Sequence, residues 1–315
     1  MKKIKVSVII PIYNEENNVD LLTEKLVQIL SNYFSYEIIF IDDGSNDNTL
    51  ENVKKINKIN KNVHYISFTR NFGHQNALKA GLDRATGECV ISMDGDLQHP
   101  PELIPDMIEK WQEGFEIIYT IRKDNKSASF YKYKTASLFY KFINMISDVR
   151  ILQGSADFRL LDRSVVEEIK NMDEHSPFYR GLIPWTGFRQ FGIKYSPNHR
   201  HTGESKYSMK RMFLFAMGGI TSFSVIPLRL ATFLGFGMAF FGFVIGLKAV
   251  IEYLFTERTV PGWTSTIMAI VLVGGVQLII LGIIGEYLGR MFIESKKRPH
   301  YIIRENSLHK QSDSE

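Results

Sequence analysis

The sequence predicts an α/β fold, in which a mostly parallel sheet is flanked by helices, followed by two transmembrane helices. Over the first two hundred residues, short apolar runs alternate with segments whose apolar residues recur at helical spacing. Beyond residue 225, the chain contains two long stretches without a charged residue. At 315 residues, it is long enough for one large domain or two smaller ones with a sizeable core.

Five apolar runs rich in β-branched residues predict the strands of the sheet. Strands separated by helices favour parallel pairing and a sheet that is covered on both faces. Ligands of such sheets bind beyond the carboxyl ends of the strands. The runs are 6–10, 38–41, 63–66, 90–92 and 117–119, and the first helical spacing is that of Val19, Leu22, Leu26 and Ile29.

The two charge-free stretches, 230–247 and 259–285, are each long enough to cross a hydrocarbon layer of about 30 Å as a helix. A buried helical hairpin or re-entrant segments are the alternatives, but the length and the glycine and aromatic content favour spanning helices. Basic residues precede the first stretch and follow the second, whereas the connecting segment 248–258 balances two basic against two acidic residues. The positive-inside rule therefore predicts a multi-pass protein of the cell membrane with both termini cytoplasmic.

The overall composition argues against several classes of protein. A net charge of +4 is too small for a dedicated nucleic-acid binder, although the basic cluster 296–298 suits anionic lipid. The single cysteine, Cys89, falls in a predicted buried strand and has no partner for a disulfide, which fits a reducing compartment. The basic N-terminus runs into a strand that ends at Pro11 without a cleavage-site pattern, so no signal peptide is predicted.

Acidic side chains follow three of the predicted strands. Tyr13 and Glu15 follow the first, Asp42 and Asp43 end the second, and an Asp-x-Asp pair at 94–96 ends the fourth. Such a pair can hold a divalent cation that faces a nucleotide diphosphate. Each cluster alone is explained equally well by a solvated turn or a helix cap. Three in register, without a glycine-rich dinucleotide or phosphate loop, favour a nucleotide site built from acidic groups, a metal and cations.

Five motifs stand out along the chain: VIIPIYNE at 8–15, IDDGS at 41–45, RNFGHQN at 70–76, DGDLQ at 94–98 and GSADFR at 154–159. They resemble those of family 2 glycosyltransferases with the GT-A fold, which binds nucleotide sugars. The likeness is greatest to polyprenyl-phosphate glycosyltransferases, namely dolichol-phosphate mannose synthases and, with two C-terminal membrane helices, bactoprenol glucosyltransferases. It covers nearly the whole chain except the tail. Processive synthases of the same superfamily are disfavoured, because no Gln-x-x-Arg-Trp occurs and two spans are few for a polymer channel.

The resemblance implies roles for individual residues. Asp96 and Gln98 match the metal ligands, and oxygen ligands of this kind suit Mg²⁺ or Mn²⁺. Asp157 matches the family's candidate catalytic base. The residues that match the nucleoside pocket or contact the donor are Pro11, Tyr13, Glu15, Asp42, Asp43 and Asp94. Those in regions that bind the acceptor phosphate or the donor diphosphate are Arg122, Lys134, Ser137, Arg200 and Lys206, with Lys132 as an alternative to Lys134.

The chemistry weakens a literal base role for Asp157. The nucleophile is a phosphate oxygen of the lipid carrier, whose second pKa of about 6 leaves it largely ionised at neutral pH. Two alternatives remain open. Asp157 orients the acceptor or the sugar, or it only pairs with Arg159 or Arg163.

A long lipid acceptor requires a site at the bilayer surface. Segments 127–146 and 209–223 mix apolar and aromatic residues with lysines, which favours an interfacial collar over ordinary core. The basic segment 200–207 is expected to close over the diphosphate. The predicted parts are a cytoplasmic catalytic domain over 1–205, an interfacial amphipathic segment over 206–226, a two-helix transmembrane domain over 227–290 and a cytoplasmic tail over 291–315.

The expected function is inverting transfer of one hexose, glucose or N-acetylglucosamine, from a UDP-sugar to undecaprenyl or another polyprenyl phosphate for cell-envelope glycan modification. Mannosyl transfer from GDP-mannose is the alternative within the enzyme class. A non-catalytic lipid-binding subunit is the alternative outside it, although the intact Asp-x-Asp and Asp157 argue against that. The expected partners are a nucleotide sugar, a polyprenyl phosphate, the membrane and, through the transmembrane helices, further copies of the chain, but no nucleic acid.

Overall fold

The computed structural model describes residues 4–122, 155–172, 174, 177–196, 226–256 and 262–308. These residues fall into two units, and the first contains the N-terminal part of the chain together with the residues from Arg298 onward. The second unit contains the two long apolar helices. Elements are numbered here in chain order along the described residues.

The described part of the first unit contains eight strands and six α-helices. The strands are β1 (Lys5–Ile12), β2 (Ser35–Asp42), β3 (Val63–Phe68), β4 (Cys89–Ser92), β5 (Ile117–Arg122), β6 (Ser155–Asp162), β7 (Gln190–Tyr195) and β8 (Ile303–Asn306). The helices are α1 (Val19–Tyr33), α2 (Thr49–Ile59), α3 (His74–Arg84), α4 (Ile104–Gln112), α5 (Arg163–Lys170) and α6 (Tyr179–Trp185).

All eight strands form one sheet in the order β7-β5-β6-β4-β1-β2-β3-β8. The pairs β1/β2, β1/β4, β2/β3 and β5/β7 are parallel, whereas β3/β8, β4/β6 and β5/β6 are antiparallel. The five strands predicted from the sequence are confirmed as β1 to β5. Because β4 and β5 both run antiparallel to β6, their carboxyl ends lie at the same edge as those of β1 and β2, and β6 starts at that edge.

Helix α1 packs on the sheet through the face that the sequence predicts, with one difference. Val19, Leu22 and Leu26 are buried as expected, but the next buried residue is Leu30, while Ile29 is only partly buried. Leu30 lies 11 residues after Val19, which is close to three full helical turns, whereas Ile29 lies 10 residues after Val19 and is rotated toward the margin of the buried face. The core contact of α1 therefore reaches almost to the end of the helix.

A buried carboxylate, Glu37, joins two strands and a loop at the amino edge of the sheet, opposite the predicted site. It accepts hydrogen bonds from the Ser7 hydroxyl (2.5 Å) and the Thr86 backbone N–H (2.7 Å), and Lys5 lies 3.7 Å away. Burial raises the pKa of Glu37, but these hydrogen bonds and the Lys5 charge outweigh it and leave the pKa below its usual value. The ionised carboxylate thus links β1 and β2 to the loop before β4.

The C-terminal strand β8 covers the outer edge of β3. Tyr301, just before β8, stacks on Phe68 with ring centroids 5.0 Å apart, and its hydroxyl donates to Asp83 (3.0 Å). Lys54 pairs with Glu305 at 2.8 Å. The sequence analysis included these residues in a cytoplasmic tail and missed the strand, because four residues without alternating apolar character give no recognisable strand pattern. Edge strands with unpaired backbone groups are commonly covered in this way.

The second unit consists of α7 (Ile226–Thr256) and α8 (Trp263–Ser295). Both contain a segment long and apolar enough to cross a membrane, Leu228–Lys248 and Leu272–Ser295, of which only 6% and 0% is buried within the protein. Such exposure distinguishes them from core helices of a soluble domain, whose apolar residues are buried. Both predicted spans fall on these helices, and α8 continues to Ser295, beyond the predicted boundary at 290.

Replacing Glu37 by alanine is expected to lower the free energy of unfolding by about 2 to 4 kcal/mol, because Ser7 and Thr86 lose a buried acceptor. Chemical denaturation of the purified protein in detergent measures the effect. Glu24→Ala, which removes an exposed carboxylate from α1, is the control and should change stability by less than about 0.5 kcal/mol.

The pH dependence of this difference follows from the lowered pKa of Glu37. The stabilisation is complete above the ordinary glutamate pKa of 4.5 and is lost as the pH falls through the lower value of the folded state. The difference between wild type and Glu37→Ala should therefore stay constant from pH 7 to pH 5. A difference that already shrinks between pH 7 and pH 6 would contradict this account.

Candidate active site

The antiparallel strand β6 brings Asp157 to the end of β4, next to the Asp-x-Asp pair. In the β4/β6 register Ser92 pairs with Arg159, so the residues that precede Arg159 lie beyond the carboxyl end of β4. The Ser92 hydroxyl donates to the backbone carbonyl of Asp157 at 2.7 Å and fixes this arrangement. Arg122 ends β5 at the same edge. The predicted donor, metal, phosphate and catalytic residues 94, 96, 98, 122 and 157 are thereby collected at one edge of the sheet.

The loop after β4 is a tight turn that places Asp96 and Gln98 side by side. Leu97 is buried with a positive φ of 61°, a strained conformation for a residue with a side chain, and it turns Gln98 back over Asp96. The Gln98 backbone N–H and side-chain amide donate to the two Asp96 oxygens at 3.2 and 2.8 Å. Gly95 packs so closely on Ile12 that an added Cβ would lie 2.6 Å from its Cγ2. The packing of Gly95 on Ile12 therefore fixes the backbone of the Asp-x-Asp turn.

The chemistry of Asp96 and Gln98 fits a divalent cation. A carboxylate and an amide oxygen are ligands that Mg²⁺ and Mn²⁺ accept. The Gln98 amide oxygen accepts a hydrogen bond from Arg122 at 3.3 Å, so this oxygen faces the guanidinium group of the arginine. The described residues contain no group of three or more His, Cys, Asp or Glu side chains arranged to hold a metal ion. A cation at this turn would also accept ligands from substrate and water, as is common for Mg²⁺.

Asp94, the first aspartate of the pair, lies between two histidines. His74, at the start of α3, contacts the carboxylate through Nε2 at 2.8 Å, and His99 Nε2 lies 3.7 Å from the other oxygen. His99 Nδ1 accepts the Asp94 backbone N–H at 3.1 Å, and its ring stacks on Phe158. Burial raises the pKa of Asp94, but the charge of His99 and the hydrogen bond from His74 hold it well below its usual range. Asp94 is therefore ionised throughout the physiological pH range.

The carboxylate of Asp157 is paired with two arginines. Arg180, on α6, binds it with both arms of the fork, Nε to Oδ1 at 3.0 Å and Nη2 to Oδ2 at 2.8 Å. Arg159 Nη2 lies 3.8 Å from Oδ1 and is also held by the backbone carbonyls of Ala156 and Tyr179. Burial raises the pKa of Asp157, but Arg180 first and Arg159 second lower it below its usual value. Neither Arg180 nor its contact with Asp157 was predicted, whereas pairing with Arg159 was one of the open alternatives.

Asp42 and Asp43, predicted to line the nucleoside pocket, are buried and hydrogen-bonded within the protein. Asp42 accepts from the Ser45 backbone N–H (3.0 Å) and the Ser67 hydroxyl (2.9 Å). Asp43 accepts from the backbone N–H groups of Phe72 (2.6 Å) and Gly73 (2.9 Å). Burial outweighs these hydrogen bonds and raises the pKa of Asp43. Both carboxylates hold the loops after β2 and β3 together.

Close packing of these two loops also requires a glycine. Gly44 has a φ of 71°, and an added Cβ would lie 2.5 Å from the backbone carbon of Arg70. The loop after β1 joins them through Asn14, whose backbone N–H donates to the Ser45 hydroxyl at 3.0 Å. The predicted pocket residues of that loop differ in accessibility, since Tyr13 is exposed while Pro11 is buried in β1. Tyr13 is therefore available to stack on a base, and Glu15 accepts from Asn18 at 2.6 Å.

The remaining predicted residues, Lys134, Ser137, Arg200 and Lys206, lie outside the described residues, as do the collar segments 127–146 and 209–223. Three side chains of the site were not predicted from the sequence: His74, His99 and Arg180. His74 belongs to the motif RNFGHQN, and His99 directly follows the motif DGDLQ. Both follow the end of a strand, and this position was a signal that could have identified them as site residues. Arg180 had none, because it lies 23 residues from Asp157 outside any motif.

Comparison with known proteins identifies the family of the chain. The model of a family described as glycosyl transferase family 2 matches residues 7–170, which include the Asp-x-Asp turn and Asp157. The chain belongs to glycosyltransferase family 2. This confirms the family to which the five motifs pointed, and the mixed sheet with flanking helices confirms the predicted GT-A-like fold.

Relatives of this family 2 glycosyltransferase match it over nearly its full length. A bactoprenol glucosyl transferase of Shigella phage SfV is 42% identical over 302 residues, 95% of this chain and 98% of the relative. A prophage bactoprenol glucosyl transferase homolog of Escherichia coli K12 is 40% identical over 95% of this chain and 98% of the relative. An uncharacterized glycosyltransferase of Bacillus subtilis is 42% identical over 97% of this chain and 95% of the relative.

Among solved structures, the chain resembles glucosyl-3-phosphoglycerate synthase of Mycobacterium tuberculosis in complex with Mn²⁺, UDP and glucosyl-3-phosphoglycerate. The two are 17% identical, with a TM-score of 0.46 over 69% of this chain and 78% of the other. A score this low marks only a loose likeness of fold.

The contact between His74 and Asp94 predicts a coupled titration. Burial lowers the pKa of His74, but the hydrogen bond and charge of Asp94 raise it above its usual value. In Asp94→Asn this charge is lost, so the pKa of His74 is expected to fall. NMR titration of ring-labelled histidines measures it, with His74→Gln to assign the signal.

His64 is the matched control for this titration. Burial first and the charge of Lys5 second lower its pKa, and it lies on β3 away from Asp94, so Asp94→Asn should leave its titration unchanged. A His74 signal that titrates identically in wild type and Asp94→Asn would show that the two side chains do not interact in solution.

Proposed function

We propose that this family 2 glycosyltransferase transfers one hexose, with inversion, from a UDP-sugar to a polyprenyl phosphate at the cytoplasmic face of the cell membrane. The sugar is glucose or N-acetylglucosamine, and the product serves cell-envelope glycan modification. One observation carries the proposal: acidic and basic side chains suited to a metal-bound diphosphate and a phosphate acceptor meet at one sheet edge, in a chain with two apolar helices. They are Asp94, Asp96, Gln98, Arg122 and Asp157.

The names of the relatives support the acceptor. Bactoprenol is a polyprenyl lipid carrier, and the bactoprenol glucosyl transferase of phage SfV matches 95% of this chain. A match of that length includes most of both apolar helices as well as the first unit, which contains the sheet and the candidate active site. Since an enzyme with a lipid-linked acceptor must work at a bilayer, the exposed apolar helices α7 and α8 fit the same function.

The position of β8 supports the predicted topology. The residues after α8 join the sheet of the N-terminal unit, which supports a topology in which the chain enters and leaves the pair of helices on the same side of a membrane. Two spanning helices satisfy this requirement, whereas one or three would not. The basic residues that flank the pair favour the cytoplasm for that side.

Asp96 and Gln98 are the proposed ligands of Mg²⁺ or Mn²⁺. The bound cation would offset the negative charge that develops on the leaving diphosphate. Asp94, held ionised by His74 and His99, contacts the donor, and Tyr13 stacks on the base. The turn with Gly95 and Leu97 holds these groups before substrate arrives, which limits the reorganisation that the reaction requires.

Asp157 orients the reactants rather than accepting a proton. Its low pKa makes it a weak base, and both of its oxygens already bind Arg180. The acceptor needs little deprotonation, because a phosphate monoester with a second pKa of about 6 is largely ionised at neutral pH. Arg122 is proposed to bind the acceptor phosphate, and Lys134, Ser137, Arg200 and Lys206 remain proposed phosphate contacts outside the described residues.

The direct test is transfer by the purified full-length protein. UDP-glucose, UDP-N-acetylglucosamine and GDP-mannose are each supplied with undecaprenyl phosphate, and the mass of the lipid product is measured. A product heavier by one hexose or one N-acetylhexosamine from a UDP-sugar supports the proposal. Product from GDP-mannose alone favours the mannosyl alternative. If none of the three nucleotide sugars is transferred or hydrolysed, a non-catalytic subunit is favoured.

Replacing Asp96 by alanine is expected to lower the transfer rate by a factor of about 100 or more, because the diphosphate loses compensation of its charge. Chelation of divalent cations should abolish transfer, and added Mn²⁺ or Mg²⁺ should restore it. Asp106→Ala, which removes an exposed aspartate from α4, is the control with near-normal activity. An Asp96→Ala protein with near-normal turnover would disprove the metal assignment.

The pH dependence of transfer separates orientation by Asp157 from proton acceptance. Since the pKa of Asp157 lies below the usual aspartate value of 3.8, its protonation cannot produce a loss of activity near neutral pH. We expect an acid limb near pH 6, set by the acceptor phosphate, in both wild type and Asp157→Asn, with a reduced rate in the variant. Rates are measured at saturating donor and metal, and loss of the acid limb in Asp157→Asn would instead identify a proton acceptor.

A further inference from the structure

Tyr195, the last residue of β7, lies at the same edge of the sheet as the candidate active site. Strands β5 and β7 run parallel, and their register pairs Tyr195 with Arg122 at the carboxyl end of both. Paired residues of neighbouring strands project from the same face of a sheet. The side chain of Tyr195 therefore lies on the face from which Arg122 donates to Gln98, in the loop after β4.

The ring of Tyr195 packs against that same loop. It meets the ring of His99 edge-on, with the two centroids 6.1 Å apart and the planes at 72°. His99 in turn accepts the backbone N–H of Asp94 at 3.1 Å and stacks on Phe158. Only 5% of Tyr195 is exposed. Burial and the contact with His99 thus fix the position of the ring beside the Asp-x-Asp turn.

The hydroxyl of Tyr195 is not used by the protein in the part of the chain that the structure describes. None of the described residues forms a hydrogen bond with it. It is also not one of the fully enclosed polar atoms without a partner, so the hydroxyl is open to solvent although the ring is buried. A tyrosine that buries its ring usually gives its hydroxyl a hydrogen-bond partner. At an active-site edge, such a hydroxyl indicates a partner that arrives with the substrate.

The groups around this phenol favour an anionic partner. Burial raises the pKa of Tyr195 to about 12, and the charges of Arg122 and Asp94 act on it in opposite directions. The hydroxyl is therefore protonated at neutral pH and able to donate. The guanidinium of Arg122 and the phenol of Tyr195 end neighbouring strands side by side, and both are donors. A ligand that faces both of them needs acceptor oxygens and gains from negative charge, which is the chemistry of phosphate.

We infer that the Tyr195 hydroxyl donates a hydrogen bond to a phosphate oxygen of a bound substrate. This inference rests on the proposed function, which supplies two phosphate sources: the diphosphate of the nucleotide sugar and the phosphate of the lipid acceptor. Tyr195 adjoins Arg122, the proposed contact of the acceptor, and through His99 it adjoins the turn that is proposed to hold the metal-bound diphosphate. The two sources share one chemistry, so the test has one arm for each.

The test removes only the hydroxyl. Tyr195→Phe keeps the ring and its packing on His99. Tyr119→Phe is the matched control: side chains alternate along β5, so Tyr119 projects from the face opposite to Arg122, over Gly192, where an added Cβ would lie 2.9 Å from the Tyr119 hydroxyl.

Dissociation constants are measured for the full-length protein in detergent. UDP and uridine are titrated in the presence of Mn²⁺, and farnesyl phosphate is titrated separately. UDP is the appropriate probe of the first source, because it carries the negative charge that develops on the leaving group. Uridine lacks phosphate and reports contacts with the nucleoside alone.

Tyr195→Phe is expected to weaken the binding of UDP, of farnesyl phosphate or of both about tenfold, because a hydrogen bond to a charged group is lost. Uridine should bind wild type and variant alike, and Tyr119→Phe should match wild type with every ligand. A loss confined to UDP assigns the hydroxyl to the diphosphate, and one confined to farnesyl phosphate assigns it to the acceptor. A loss with both assigns it to a position that the two phosphates share.

Dissociation constants within twofold of wild type for both phosphate ligands would overturn the inference, even if Tyr195→Phe transfers sugar slowly. A loss for UDP that is equally large for uridine, with farnesyl phosphate unchanged, would overturn it as well, because the hydroxyl would then contact the nucleoside. Thermal unfolding of the three proteins checks that the change is local. Failure of the proposed function would look different: wild type itself would bind neither UDP nor farnesyl phosphate and would transfer no sugar.

Discussion

The antiparallel pairing of β6 with β4 is the interaction on which the rest of the site depends. Parallel strands alone would bring Asp94, Asp96 and Arg122 to one edge, because their carboxyl ends lie there. Asp157 lies near the start of its strand and reaches that edge only because β6 runs the other way. The hydrogen bond from Ser92 to the Asp157 carbonyl then sets the position of the carboxylate beside the Asp-x-Asp turn.

Charge balance decides what these groups do. Asp94 lies between two histidines and Asp157 between two arginines, and both keep a low pKa despite burial. Groups of this kind hold a fixed charge well and accept protons poorly. A reaction whose nucleophile is already ionised is compatible with such a site, and this links the observed electrostatics to a phosphate acceptor.

The first unit is built from segments on both sides of the two apolar helices. After these helices, the chain returns to the sheet as β8, where Tyr301 stacks on Phe68 and Glu305 pairs with Lys54. The edge of β3 is therefore covered by residues that follow α8 in the chain.

The sequence by itself determined the elements with local signals: the strands β1 to β5, the two apolar helices, the Asp-x-Asp turn and the family, whose motifs are continuous stretches of chain. Tertiary structure alone decided which distant residues meet. Arg180 reaches Asp157 across 23 residues, and β8 reaches β3 from the far end of the chain, with no pattern in the residues themselves. Periodicity and motifs report contacts along one segment, whereas pairing between segments depends on the direction and order of strands, which the composition of each segment leaves open.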